Sequence, residues 1–352
     1  MMTADAVGGV WRYSIDLGAA LAQRGVRTTV AVMGPAPDEA QRHEADRAGI
    51  TIVDRPYRLE WMDEPWQDVE RAGTWLLSLE RALQPDVVHL NGYSHAALPW
   101  YAPAMVVAHS CVGSWWRAVK GSPAPDRFDT YRAWVRRGLT AAQLVVAPTR
   151  AMLDALHREY GPPASSRVIA NGCTAVGSAE PPAAKEPLIL AAGRLWDEGK
   201  NVDAVCSVAA EWPWPVYVAG DQQAPDGGER RLAGVHTLGR LTPTELGMWR
   251  RRAAIYVSPA RYEPFGLSIL EAAGAGCALV LGDIPSLREN WDGAAVFVAP
   301  DDRAALRAGV AALIADAPRR AEIARQGRER AAAFTIDRAA DAYLRAYQDL
   351  VS

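Results

Sequence analysis

Short runs of aliphatic and β-branched residues recur along the chain, separated by longer stretches with helical periodicity. In the first half the runs fall at residues 26–33, 50–53, 87–90, 105–108, 144–147 and 167–170. A second series follows at 188–192, 216–219, 235–238, 255–258, 278–281 and 295–298. Regular alternation of strand and helix predicts parallel sheets covered by helices on both faces. Between the two series, residues 175–187 are rich in Ala, Pro, Gly and Ser, which suits a linker. The tail, residues 319–352, is helical in pattern, with a break and restart at Phe334-Thr335-Ile336-Asp337. No internal repeat or low-complexity tract interrupts this organisation.

Length and composition agree with two domains. The chain has 352 residues, 49% hydrophobic and 22% charged, the mix of an ordinary globular enzyme. A formal net charge of -3 supplies no basic field for nucleic acid, so none is expected as a partner. No apolar run approaches the roughly 18 residues of a membrane span, and no basic-then-apolar leader opens the chain. Cys111, Cys173, Cys206 and Cys277 sit at no metal-ligand or redox spacing and read as scattered reduced thiols. A cytoplasmic protein is expected, with at most peripheral membrane contact. Its 13 tryptophans against 4 phenylalanines are unusual; their wide faces suit sugar rings as well as cores.

The most informative segment is Arg261-Tyr262-Glu263-Pro264-Phe265-Gly266-Leu267-Ser268-Ile269-Leu270-Glu271-Ala272. It follows a buried strand, turns at Pro264 and Gly266, and enters a helix at Leu267. A helix N-terminus offers free N–H groups and a positive dipole, which suits a diphosphate. Glu263 lies before that helix and Glu271 inside it, so one carboxylate can face a sugar while the other accepts from ribose hydroxyls. Taken alone, two such glutamates are a helix-end charge and a surface residue; the surrounding context favours a site. Arg194 and Lys200 follow the strand at 188–192, where an α/β sheet binds its ligands. They suit a leaving diphosphate, Arg as a fork and Lys as a point charge. Gly8-Gly9 precede a helix reaching about Arg24, and glycine permits close approach to a phosphate or sugar. No Asp-x-Asp follows a strand, and Asp301-Asp302 opens a helix, so neither a metal nor another cofactor is expected.

The glutamate segment resembles the Glu-x7-Glu motif of retaining glycosyltransferase family 4, whose fold is the α/β GT-B architecture: two Rossmann-like domains facing across a cleft. Four further pieces resemble that family in order. They are Gly8-Gly9-Val10-Trp11-Arg12-Tyr13, Val146-Ala147-Pro148-Thr149-Arg150, Ile169-Ala170-Asn171-Gly172 with Ala170 in place of the usual proline, and Ala192-Gly193-Arg194-Leu195 through Lys200-Asn201. The resemblance implies an acceptor-side domain of residues 1–177 plus 336–352 and a donor-binding domain of residues 178–335. Arg194, Lys200, Glu263 and His109 are then the catalytic set. Gly8, Gly9, Arg240, Leu241, Gly266, Leu267, Ser268 and Glu271 would hold the donor, with the nucleobase near Arg240 and Leu241. His109 ends the strand at 105–108, where the family often contacts the transferred sugar; His89 is a weaker version of the same argument. Trp11, Trp115 and Trp116 are candidates for the acceptor, the last two on what reads as a loop. Arg132, Arg136 and Arg137 could touch a phosphorylated or membrane-bound acceptor but read more simply as a solvated face.

The expected activity is transfer of a hexose from a nucleotide diphosphate sugar, UDP-sugar favoured, to a glycan, lipid-linked or small-molecule acceptor. The family retains the anomeric configuration, and with no evident nucleophile a front-face route is expected. A sugar-nucleotide epimerase on the same plan and a non-catalytic sugar-nucleotide binder are the alternatives. A dinucleotide oxidoreductase lacks its Gly-x-Gly-x-x-Gly. Finally, only Met1 to Val7 precede Gly8-Gly9, so the first strand of the first domain is expected to be cut short, with an in-frame start a few codons upstream.

Overall fold

The computed structural model describes residues 1–6, 8–174, 184–222 and 232–352. The chain divides into two compact units, Met1–Gly172 with Ile336–Ser352, and Cys173–Thr335. Each is a parallel sheet with helices between its strands.

In chain order the first unit contains β1 (Met2–Asp5), α1 (Gly9–Ala22), β2 (Thr29–Met33), α2 (Glu39–Arg47), β3 (Thr51–Arg55), α3 (Trp66–Leu83), β4 (Val88–Leu90) and β5 (Ala104–Val107). It continues with α4 (Val112–Lys120), α5 (Asp129–Ala141), β6 (Leu144–Ala147), α6 (Arg150–Tyr160) and β7 (Ser166–Val168). The sheet order is β3-β2-β1-β4-β5-β6-β7, all pairs parallel. Strand β1 pairs with β2 from Met2↔Val30 to Asp5↔Met33 and meets β4 at Met2↔His89. The central strands are buried on both faces, as β5 and β6 show with four buried residues each. Val106 and Val145 pack there with Val135 of α5 and Leu153 and Leu156 of α6. Such runs read as continuous apolar segments because both faces are covered.

The second unit contains β8 (Glu186–Ala192), α7 (Val202–Val208), β9 (Val216–Ala219), β10 (His236–Gly239), α8 (Pro243–Arg252), β11 (Ala253–Ser258) and α9 (Leu267–Gly274). It ends with β12 (Ala278–Gly282), α10 (Pro285–Trp291), β13 (Val296–Val298), α11 (Arg303–Ala315) and α12 (Ala317–Ala331). Its order is β10-β9-β8-β11-β12-β13. Ile189, Val218, Ile255 and Val280 from the strands meet Val205, Val310 and Leu313 from the helices. Most of the expected linker, residues 175–183, lies outside the described residues. Its end is corrected: β8 begins at Glu186 and takes in Pro187. A proline is tolerated there because β9 pairs with β8 only from Ile189 onward, and the contact with β11 skips from Glu186 to Ile189.

After α12 the chain forms an isolated bridge, Cys173↔Thr335, and enters α13 (Ile336–Val351), which packs on the first unit. Ile336, Ala339, Ala340, Tyr343 and Ala346 form the buried stripe of α13, at the spacing of one helical face. Its polar side is tied by Arg24 to Asp337 and Asp341, and by Arg167 to Asp349.

Candidate active site

In the second unit the chain leaves β8 outward to β9 and β10, then returns to β11 on the other side of β8. This reversal sets a switch point at the carboxyl ends of β8 and β11, the place where an open α/β sheet binds ligands. Arg194 and Lys200 follow β8; Glu263, Gly266 and α9 follow β11. The structure therefore brings together the two halves of the second-unit motif across adjacent strands.

Two close turns form the frame. Asp197 is buried, with Oδ1 accepting from Gly199 N–H at 2.9 Å and Oδ2 accepting from Arg194 Nη2 at 2.8 Å. Gly199 carbonyl in turn accepts from Arg261 and Tyr262 N–H, which stitches the β8 turn to the β11 loop. Asn201, left-handed at φ 54°, donates through Nδ2 to Pro259 and Pro300 carbonyls. Ser286 Oγ donates to Glu263 carbonyl at 2.5 Å and fixes the loop from behind. Gly220 closes the approach of β9: a Cβ there would stand 1.8 Å from Gly193 carbonyl oxygen, so only glycine fits. Gly266 starts α9 at φ 92°, the left-handed region that glycine supplies without strain.

On this frame the charges come in pairs. Lys200 Nζ meets Glu263 Oε2 at 2.6 Å, with side chains only 19% and 15% exposed. Arg250, from the last turn of α8, meets Glu271 Oε2 at 2.5 Å and is 6% exposed. Glu271 and Ser268 are three apart on α9, hence on one face, and both turn toward Arg250. Arg250 Nη2 donates to Ser268 Oγ at 3.1 Å; Ser268 Oγ lies 2.7 Å from Tyr256 Oη; and Tyr256 Oη donates to Ala192 carbonyl at 3.2 Å. Read by donor capacity, the protons run Arg250 to Ser268 to Tyr256 to Ala192. Tyr256 is fully enclosed, and burial pushes its phenol up to about 12, so it stays a neutral donor. The Ser268 hydroxyl is thus spent inside the protein, and what Ser268 can offer a ligand is its backbone N–H. Leu267, Ser268 and Ile269 open α9, where N–H groups lack intrahelical acceptors. Arg240 and Leu241 follow β10, two strands from β8, and precede α8, whose N-cap is Thr242. At 4.7–4.9 Å per strand, that is about 10 Å away.

The first unit has its own reversal, between β1 and β4, and its own polar cluster there. Gly8 caps α1 at φ 81°, and a Cβ on Gly9 would meet nothing within 4 Å. Asn91, just past β4, lies at the centre. Its Nδ2 donates to Thr3 carbonyl at 2.7 Å and to Ser14 Oγ at 3.2 Å, and its backbone N–H donates to Thr3 Oγ1. Its Oδ1 lies 2.9 Å from His109 Nε2 and 3.1 Å from His89 Nε2. His89 Nδ1 is 2.7 Å from Tyr347 Oη of α13. Tyr13 sets its ring edge-on to His109, with centroids 4.5 Å apart. Burial lowers His89 to about 3 and His109 to about 4, so both rings are neutral near pH 7.

Trp115 and Trp116 lie on a helix where the sequence suggests a loop, and Trp11 is enclosed. Trp11 is 5% exposed in α1, and its indole N–H donates to Glu44 Oε2 at 3.2 Å; its face is core surface, not a sugar platform. Trp115 and Trp116 lie on α4, not on a loop. Cys111 caps that helix through Sγ and Gly121 ends it in the left-handed conformation. Successive helical residues diverge, and the two rings stand at 61° with Trp116 taken up by Phe128 and by the Arg127 guanidinium. They form no common flat surface. Of the basic trio on α5, Arg132 is paired with Asp129 and Arg137 lies over Trp134. Sequence reasoning missed Asp197, Arg250, Tyr256 and Asn91.

Two α/β units of Rossmann type, each gathering polar side chains at the carboxyl ends of strands where its strand order reverses, define the GT-B class of transferases. Solved structures of that class superpose on the whole chain. Sucrose-phosphate synthase of Thermosynechococcus elongatus is 18% identical with a TM-score of 0.79, covering 99% of this chain and 98% of that one. Anabaena HepE in complex with UDP-glucose is 16% identical with a TM-score of 0.75, covering 99% and 100%. Residues 7–175 match Glycosyltransferase Family 4, and residues 186–316 match the glycosyl transferases group 1. The chain belongs to this family of glycosyltransferases. Glycogen synthase of Mycobacterium tuberculosis is 27% identical over 91% of this chain and 86% of its own length. Among the described residues, no helix is long and apolar enough to cross a membrane.

Proposed function

We propose that the protein moves a hexose from a UDP-sugar to a glycan, lipid-linked or small-molecule acceptor, with retention of anomeric configuration and without a metal. The observation that carries this is the meeting of Lys200, Glu263, the α9 N-terminus and the Arg250–Glu271 pair at the β8/β11 reversal. The UDP-glucose-bound neighbour supports the donor class, and the glycogen synthase relative supports a glycan as acceptor.

The second unit binds the donor. The diphosphate meets the N–H groups that open α9, and Lys200 exchanges part of its contact with Glu263 for a phosphate oxygen. Arg194, its side chain 43% exposed beside Asp197, reaches the same charge. Glu271, held by Arg250, accepts from the ribose hydroxyls, and the base lies toward Arg240 and Leu241. As the sugar C1–O bond to phosphate breaks, negative charge grows on the diphosphate, and stabilising developing charge is usually the largest catalytic contribution. The acceptor oxygen bonds to C1 on the same face, and its proton passes to the departing phosphate oxygen. Glu263 orients the sugar. The first unit, with the Gly8-Gly9 turn and His109, serves the acceptor and sugar side.

A thermal-shift series against UDP-, GDP- and ADP-sugars tests the donor. Binding at a hundredfold excess over Kd adds about 2.7 kcal/mol to stability, a readable rise in melting temperature. No shift with any UDP-sugar rejects the donor assignment. Turnover of the donor to an epimer without acceptor would replace transfer by epimerisation.

A further inference from the structure

The polar cluster of the first unit fixes where protons sit, not only where rings lie. Thr3 carbonyl can only accept, so the Asn91 amide must point its nitrogen that way and its oxygen toward the two histidines. A carboxamide oxygen also only accepts. Both Nε2 atoms facing it at 2.9 and 3.1 Å must then carry hydrogen. In a neutral His89 ring the other nitrogen is bare, and it receives the Tyr347 hydroxyl proton at 2.7 Å. In a neutral His109 ring Nδ1 is bare as well, and no hydrogen bond to it forms among the described residues. The edge of Tyr13 holds that ring from the side. Asn91 itself is anchored three times, to Thr3 backbone, Thr3 hydroxyl and Ser14 hydroxyl, so it has little freedom to flip.

We propose that Asn91 is a positioning residue that locks His109 in its Nε2–H form, so that the bare Nδ1 accepts a hydrogen bond from a sugar hydroxyl held by the first unit. The inference rests on the reading of this unit as the sugar side, but the lock itself is independent of it. A neutral amide suits the role because it fixes the tautomer without the negative charge that would draw a second proton onto the ring. A carboxylate in its place would fix the same Nε2–H and turn Nδ1 from acceptor into donor.

The test uses the full chain labelled with 15N-histidine. Long-range proton–nitrogen spectra at pH 7, assigned with His89→Gln and His109→Gln, are expected to show both rings neutral and protonated on Nε2. Asn91→Leu removes the acceptor and should give His109 a mixture of tautomers; Asn91→Asp, which keeps the acceptor oxygens if the leucine variant fails to fold, should give an imidazolium. In either variant turnover should fall at least tenfold with donor KM changed less than threefold. Monodeoxy donors or acceptors should identify one hydroxyl whose loss costs the wild type at least tenfold and the variant little. A His109 ring protonated on Nδ1, or a variant that keeps both the wild-type tautomer and the wild-type deoxy discrimination, overturns the proposal. Absence of any sugar transfer by the wild type, with the lock seen intact, overturns instead the functional reading on which the hydroxyl contact depends.

Discussion

Arg250→Met should damage the second unit far more than a lost surface charge would. The Arg250 side chain is 7% exposed and the Glu271 side chain 18%, with 2.5 Å between their charged ends, so water screens the pair little. Removing one partner of a buried pair leaves the other uncompensated, which costs about 3–5 kcal/mol. Ser268 loses its donor at the same time. For a unit of this size 1 kcal/mol is roughly 2–4 °C of melting temperature, so a fall on the order of 6–20 °C is expected. Glu271→Gln should cost a similar amount, because Arg250 Nε already lacks a partner among the described residues. The double variant Arg250→Met with Glu271→Leu replaces both charges by apolar groups and should recover most of the loss. The assay is a double-mutant cycle by calorimetry, following the transition of the second unit. Single variants that shift the midpoint by less than 2 °C, or losses that simply add in the double variant, would refute the reasoning. The double variant should nonetheless bind nucleotide-sugar poorly, which separates the stabilising role of the pair from its binding role.

Lys200→Ala and Arg194→Ala should each raise the barrier by about 2–4 kcal/mol if they support the charge of the leaving diphosphate; near-wild-type turnover in both, measured by steady-state kinetics, removes them from the reaction. NMR of the product should show the donor's anomeric configuration, and EDTA should leave the rate intact; an inverted product, or rescue by manganese, contradicts the mechanism. His89 should make the first unit acid-sensitive. Its folded value is about 3 against 6.5 for the free side chain, so the unfolded chain takes up the proton first; the stability it contributes is complete above pH 6.5 and is lost as pH falls toward 3. At pH 5 the loss is about 2 kcal/mol, and His89→Gln should flatten the decline in urea-unfolding stability between pH 6.5 and 5; an unchanged slope would show that burial of this ring is not the cause.

The central strands were legible because they are covered on both sides and read as uninterrupted apolar runs, β6 and β9 to the residue; edge strands such as β3 and β10 are more polar and more exposed, and their bounds shift by a residue or two. The α4 helix was not, since Gly113 and the paired tryptophans resemble a loop; its cap comes from a thiol, an uncommon signal. The glutamate motif was visible because its pieces are neighbours in sequence. Arg250 was not, because it stands in Arg250-Arg251-Arg252 at a helix end, where cations usually complement the dipole. Only packing separates the first of the three, buried, from the other two, exposed. Trp11 failed in the opposite direction: position beside a glycine turn suggested a ligand, while its helical face points into the core. His89 was marked by its place at a strand end, but its partners Asn91 and Tyr347 lie on distant parts of the chain, and nothing local announces that they meet there.

Helix α13 has a consequence for how the protein is made. The second unit is inserted in the chain of the first, so every strand of the first unit is synthesised before the helix that covers Tyr13 and His89. On the ribosome, the first unit must wait for the entire second unit to emerge before Tyr343 and Tyr347 arrive. Until then its histidine cluster stands partly open to water, free to take up protons that the finished fold refuses. Truncation near the C-terminus therefore injures the half of the molecule that was translated first, while the second unit keeps all of its own strands and helices.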